Sequence, residues 1–106
     1  MDEQTIIKVL TEAGGNLWEK NGKRRIYFSA STVMGLDVNR YGTGNISGAD
    51  IKGERISNSE ARRIMDCKFF YDVIDGKFYS SNTERLHTKA NEAKKEFFDS
   101  MRAKLQ

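Results

Sequence analysis

A hairpin is written into residues 20–23 of this chain. Lys20-Asn21-Gly22-Lys23 lies between Leu17-Trp18-Glu19 and Arg24-Arg25-Ile26-Tyr27-Phe28. Asn-Gly suits a two-residue turn in which both residues take positive φ, and such a turn fixes which residues oppose one another. Lys20 then opposes Lys23, Glu19 opposes Arg24, Trp18 opposes Arg25 and Leu17 opposes Ile26. Because side chains alternate along a strand, two faces follow. One carries Leu17, Ile26 and Phe28, with Glu19 and Arg24 paired near the tip. The other carries Trp18, Lys20, Lys23, Arg25 and Tyr27, a mixture of cations and aromatic rings. The first face is expected in the core and the second at a partner.

The chain has 106 residues, enough for one core and too few for two ordinary domains. It is 38% apolar and 10% aromatic, which places it with folded rather than disordered chains. The formal charge of +3 does not by itself demand a nucleic-acid partner, but Lys20, Lys23, Arg24 and Arg25 concentrate cations in one place. A single cysteine, Cys67, excludes an intramolecular disulfide. The acidic start and the lack of a long apolar run predict neither a leader nor a membrane span, so a cytoplasmic location is expected. With no proline, turns must be made by Gly, Asn, Asp or Ser.

Helical spacing of Ile6, Val9, Leu10 and Ala13 predicts a helix near Glu3–Ala13, stopped by Gly14-Gly15. Ser29 or Ser31 is suited to cap a short helix through Val33, Met34 and Leu36. Residues Asp37–Asn45 read as a loop. A second hairpin is expected from Ile46 to Ile56 around Lys52-Gly53, with Ala49, Ile51 and Ile56 sharing a face, Asp50 opposite Arg55, and Gly48 marking a bulge. Ser57 and Glu60 have capping-box spacing ahead of a helix burying Ala61, Ile64 and Met65. A third hairpin around Asp75-Gly76 would pair Val73 with Phe78 and Asp72 with Tyr79. Phe69, Tyr71, Val73 and Phe78 form its core side, while Phe70, Ile74 and Tyr79 lie opposite. Ser81 and Glu84 repeat the capping spacing before the longest helix, roughly Thr83–Lys104, striped by Leu86, Ala90, Ala93, Phe97 and Met101. The expected fold is a single α+β domain of order α-ββ-α-ββ-α-ββ-α, its antiparallel hairpins joined in a sheet with helices packed on it. The unevenly spaced turn glycines leave a duplicated module open.

Bases can stack on rings while cations neutralise phosphates, and Trp, Tyr and Arg also dominate protein hot spots. The Trp18/Lys20/Lys23/Arg25/Tyr27 face therefore suits either partner. A third reading is purely structural: a Trp18–Arg25 cation–π pair, or Trp18 packed beneath a helix. Arg40 and Tyr41 are secondary candidates, because Arg40-Tyr41-Gly42-Thr43-Gly44-Asn45 could bring backbone amides to a phosphate. Ser47 stands where a dinucleotide fingerprint needs its third glycine, and no P-loop Gly-Lys-Ser/Thr follows. Arg62 and Arg63 would extend a basic surface or, as charge runs more often do, form the solvated side of a short helix. The only histidine, His87, lacks partners for a metal site or a triad. Cys67 opens an apolar strand and is expected to be buried, and Asp66, Asp72 and Asp75 lack metal-loop spacing. No catalytic residue, metal or cofactor is expected.

The runs Gly14–Phe28 and Gly53–Ala61 resemble motifs of small uncharacterised proteins of bacteriophages and mobile elements. The resemblance extends over much of Gly14–Tyr79. It implies a host-directed role, such as inhibition of a bacterial defence complex of the anti-CRISPR kind by occluding a surface. Many such inhibitors are strongly acidic mimics of DNA; this mildly basic chain departs from them. The combined expectation is a non-enzymatic protein that docks on a host protein or ribonucleoprotein in the bacterial cytoplasm. Direct RNA or DNA binding through the same face is the alternative.

Overall fold

The computed structural model describes residues 1–81, 83, 86 and 88–106. Its elements are α1 (Glu3–Glu12), β1 (Asn16–Lys20), β2 (Lys23–Phe28), α2 (Ala30–Met34), β3 (Leu36–Tyr41), β4 (Asn45–Ile51), β5 (Glu54–Ile56), α3 (Asn58–Met65), β6 (Lys68–Asp72), β7 (Lys77–Ser81) and α4 (Thr88–Lys104). The α+β class, the antiparallel hairpins and the long C-terminal helix are as expected. The strands form two sheets, one of order β1-β2-β6-β7 and one of order β3-β4-β5.

The first hairpin has the register its turn dictates, with Lys20 opposite Lys23, Trp18 opposite Arg25 and Leu17 opposite Ile26. Asn21 and Gly22 both have positive φ, 54° and 77°, as a tight turn with this strand twist requires. The second turn works the same way at Lys52 and Gly53, setting Ala49 opposite Ile56 and Asp50 opposite Arg55.

Asp37–Asn45 is not a loop. Leu36–Tyr41 is a strand that pairs with β4, and the register shifts beside Gly48. The bulge marked by that glycine is therefore real, and the Ser47 hydroxyl donates to the Asn39 carbonyl across it. The strand escapes sequence reading because only Leu36 is buried along it, so it carries little apolar alternation. The middle unit is thus a three-stranded sheet by itself, whereas the outer hairpins fuse into one sheet. The helix-plus-hairpin units are not equivalent.

The third hairpin also needs correction. Tyr71 faces Phe78 and Asp72 faces Lys77, two residues from the expected pairing, because the turn spans Val73–Gly76 rather than two residues. Asp72 makes this longer turn: its Oδ1 accepts from the amides of Ile74 and Asp75, and its carbonyl accepts from Gly76. A slip of two leaves every side chain on its original face, so Phe69 and Tyr71 are still buried.

Capping follows the sequence closely. Asp2, Ser29 and Ser57 accept backbone amides at the starts of α1, α2 and α3, the Ser57 bond going to Glu60 as the capping box demands. The short second helix ends at Met34, and Leu36 belongs to β3. The Ser81–Glu84 pair falls partly outside the described residues, since Glu84 is not among them.

One core joins both sheets and all four helices, with Leu10, Ile26, Met34, Ile51, Ile64 and Phe69 its largest fully buried side chains. On α4, Ala90, Ala93 and Met101 are buried as expected. Phe98 is buried while Phe97 is only partly so. Both rings pack on the four-stranded sheet, Phe97 against Phe28 at 5.1 Å and Phe98 against Phe78 at 5.3 Å between centroids. Met65 is not buried: α3 turns Ala61 and Ile64 inward, and the next position falls outside that narrow stripe. Leu17 is likewise exposed, by 39%. It lies on edge strand β1, all of whose residues are exposed, whereas Ile26 and Phe28 on β2 are buried.

Candidate functional site

Pairing of β2 with β6 decides what the outer side of the four-stranded sheet contains. Arg25 lies opposite Asp72 and Tyr27 opposite Phe70, while β7 places Tyr79 beside Phe70 and Lys77 beside Asp72. Two rows therefore cross the sheet. One runs Trp18, Arg25, Asp72, Lys77; the other runs Asn16, Tyr27, Phe70, Tyr79. Lys20 and Lys23 extend the surface at one end and Lys68 at the other, opposite Ser81. None of these residues is buried.

The rings form a continuous chain. Trp18 meets Tyr27 edge-on with centroids 6.0 Å apart, Tyr27 meets Phe70 at 5.2 Å, and Phe70 stacks on Tyr79 at 5.4 Å. Arg25 occupies the middle, its guanidinium 4.4 Å from the centroid of Phe70. It donates to the Tyr27 hydroxyl at 3.1 Å, and its Nε is 3.9 Å from Asp72 Oδ2. That Nε is buried without a hydrogen-bond partner among the described residues, so ring contact does much to hold the side chain. The Tyr27 bond, and behind it the charges of Asp72 and Asp75, raise the Arg25 pKa, keeping the guanidinium charged. Tyr79 donates to Asp75, and that bond is the main reason its pKa rises. Its phenol stays neutral and its ring is fixed at the β7 edge.

Exposure divides the rings by task. Trp18 and Tyr79, on the two edge strands, are each 38% exposed. Tyr27 and Phe70 between them are less exposed, and Arg25 covers part of Phe70. The inner pair is partly shielded; the outer pair is open to solvent. Beside Tyr27 and Lys68 the face runs into a cleft of about 480 Å³ that reaches Ala30, Met65 and Cys67.

The structure thus brings Trp18, Lys20, Lys23, Arg25 and Tyr27 onto one surface. Trp18 is not packed beneath a helix, and the cation–π contact of Arg25 falls on Phe70 rather than on Trp18. Arg40 and Tyr41 lie apart, in the three-stranded sheet, where the Arg40 guanidinium rests on the Met65 sulfur at 3.9 Å and Tyr41 is 61% exposed. Gly42 and Gly44 serve a hairpin turn there, with φ of 60° and 92°. A Cβ on Gly44 would meet nothing within 4 Å, so positive φ, not close approach, selects glycine at that position.

Phe70, Tyr79, Lys68 and Lys77 are members of the face that the hairpin alone does not disclose. Alternation already sets Phe70 and Tyr79 opposite the core side; only the long-range β2–β6 pairing adds them to Trp18 and Tyr27. Arg62 and Arg63 are exposed on α3, Arg63 bonded to the buried Glu60 at 2.9 Å. Cys67 is buried, its thiol donating to the Arg63 carbonyl. His87 lies outside the described residues. Among the described residues no cluster of His, Cys, Asp or Glu is arranged to hold a metal ion, and no helix is long and apolar enough to cross a membrane. No protein-family model, curated protein or solved structure matches the chain.

Proposed function

We propose that this chain is a non-enzymatic docking protein that engages a host protein or ribonucleoprotein with the outer face of its four-stranded sheet. One observation carries the reading: an uncovered surface on which Trp18, Tyr27, Phe70 and Tyr79 touch in sequence around a central Arg25. Aromatic and arginine side chains held rigidly on a scaffold are the groups that concentrate binding energy, and rings locked by their neighbours lose little entropy when a partner arrives. The likeness of residues 14–28 to phage and mobile-element proteins supplies the host as the setting, with inhibition of a defence complex as its most specific form.

The test is capture from bacterial lysate on immobilised protein. Wild-type protein retains a partner, and Trp18→Ala with Tyr79→Ala loses it while keeping a cooperative unfolding transition. Each substitution is expected to weaken capture by about 1 kcal/mol or more. Equal capture by wild type and double variant contradicts the assignment of the face.

A further inference from the structure

We infer that the occupant of this face is a single-stranded nucleic acid. The inference rests on the docking reading above, taken in its ribonucleoprotein form, and names the component that meets the face. The outward positions of β1, β2, β6 and β7 hold aromatic, cationic, amide, hydroxyl and carboxylate groups, with no aliphatic side chain. A protein interface is built differently, with lysine depleted from it. Here Lys20, Lys23, Lys68 and Lys77 all point outward, and none makes an ion pair among the described residues. The acid on these outward positions, Asp72, lies beside Arg25, and the nearby Asp75 accepts from Tyr79. The unneutralised charge of the surface is positive, complementary to phosphate.

The rings decide between single strand and duplex. A duplex keeps its bases stacked on one another and offers a sheet only phosphates and groove edges; rings then have nothing to stack upon. A single strand offers both unstacked bases and phosphates. Trp18 and Tyr79 lie on opposite edge strands, about 14 Å apart across the sheet by three strand spacings and one row apart along it. A segment crossing between them would place roughly two or three bases on the sheet, with Arg25 at the centre and lysines at both ends. Base stacking and charge neutralisation tolerate any sequence, so little sequence preference is expected.

Fluorescence anisotropy on the full chain tests this with three labelled probes: a short oligouridylate, the matching oligothymidylate, and a duplex of the same length. The expected result is binding of the single strands and markedly weaker binding of the duplex. The log–log salt slope should approach about −3, from about −0.7 for each phosphate met by a lysine. Trp18→Ala and Tyr79→Ala should each weaken binding roughly 5- to 100-fold. Lys68→Glu with Lys77→Glu, which leaves all rings in place, should flatten the slope by at least about 1.4, and Lys8→Ala on α1 should change nothing. A preference for uridylate identifies RNA as the source, since only RNA carries the 2′-hydroxyl; equal affinity identifies a reader of both. Tighter binding of the duplex, or single-strand binding indifferent to both ring substitutions, overturns the inference. So does failure of the folded protein to bind any probe. If a host protein is still captured through Trp18 and Tyr79 after nuclease treatment while no probe binds, the nucleic-acid inference falls and the docking reading stands. Loss of both removes both.

Discussion

Ile26→Ala is expected to destabilise the protein by about 2–5 kcal/mol, whereas Leu17→Ala, directly opposite it in the ladder, should cost about 1 kcal/mol or less. The two residues are both aliphatic and both point to the helix side of the sheet. Ile26 is fully buried and Leu17 is 39% exposed. Truncating Ile26 removes methyl groups from the shared core, where Tyr71 lies opposite it in the ladder, and leaves a cavity behind. Truncating Leu17 removes atoms that water already reaches. Urea unfolding of the two variants, with the slope checked to be unchanged, measures the contrast. Equal losses would mean that the helix layer extends over β1, against the exposure of the whole strand.

Gly15→Ala is expected to be the most damaging single-methyl change at the helix–sheet junction. A Cβ at that position would lie 2.4 Å from Ile26 Cγ2, 2.9 Å from the Leu10 carbonyl oxygen and 2.9 Å from Phe28 Cε1. The Leu10 carbonyl cannot yield easily, because it ends α1 by accepting the Gly15 amide at 2.9 Å, and the two side chains belong to the core. Forcing a methyl group into such a site costs about 1–3 kcal/mol, which lowers the melting temperature by roughly 4–8 °C per kcal/mol in a domain of this size. A thermal scan reads it directly. An unchanged melting temperature would show that α1 shifts freely against the hairpin, which its Glu3–Arg24 ion pair and buried Leu10 argue against. Gly15 thus does more than stop a helix: it lets α1 approach β2.

What could be read from the chain was what its local chemistry decides. Asn21-Gly22 and Lys52-Gly53 set their registers because a two-residue turn leaves no freedom. Ser57 and Glu60 fixed the start of a helix for the same reason. The turn after Asp72 misled by two residues, since its length depends on where that carboxylate finds amides. β3 was missed because a strand with little buried surface has no apolar rhythm to betray it. Leu17 and Met65 show another limit: alternation and helical spacing say which side a residue is on, and only the packed assembly says how far the cover reaches. The site was half legible. Trp18, Arg25 and Tyr27 share a hairpin, whereas Phe70 and Tyr79 reach them through a pairing more than forty residues away in sequence, which no local signal encodes.

The most direct test of the proposed nucleic-acid face is amide and ring chemical-shift mapping by NMR while a short oligouridylate is titrated into the full chain. The account predicts shifts concentrated at Trp18, Arg25, Tyr27, Phe70 and Tyr79, with Lys20, Lys23, Lys68 and Lys77 at the margins and the three-stranded sheet unmoved. Shifts centred on Arg40, Tyr41 and the Gly42–Gly44 turn, with the four-stranded sheet silent, would contradict it.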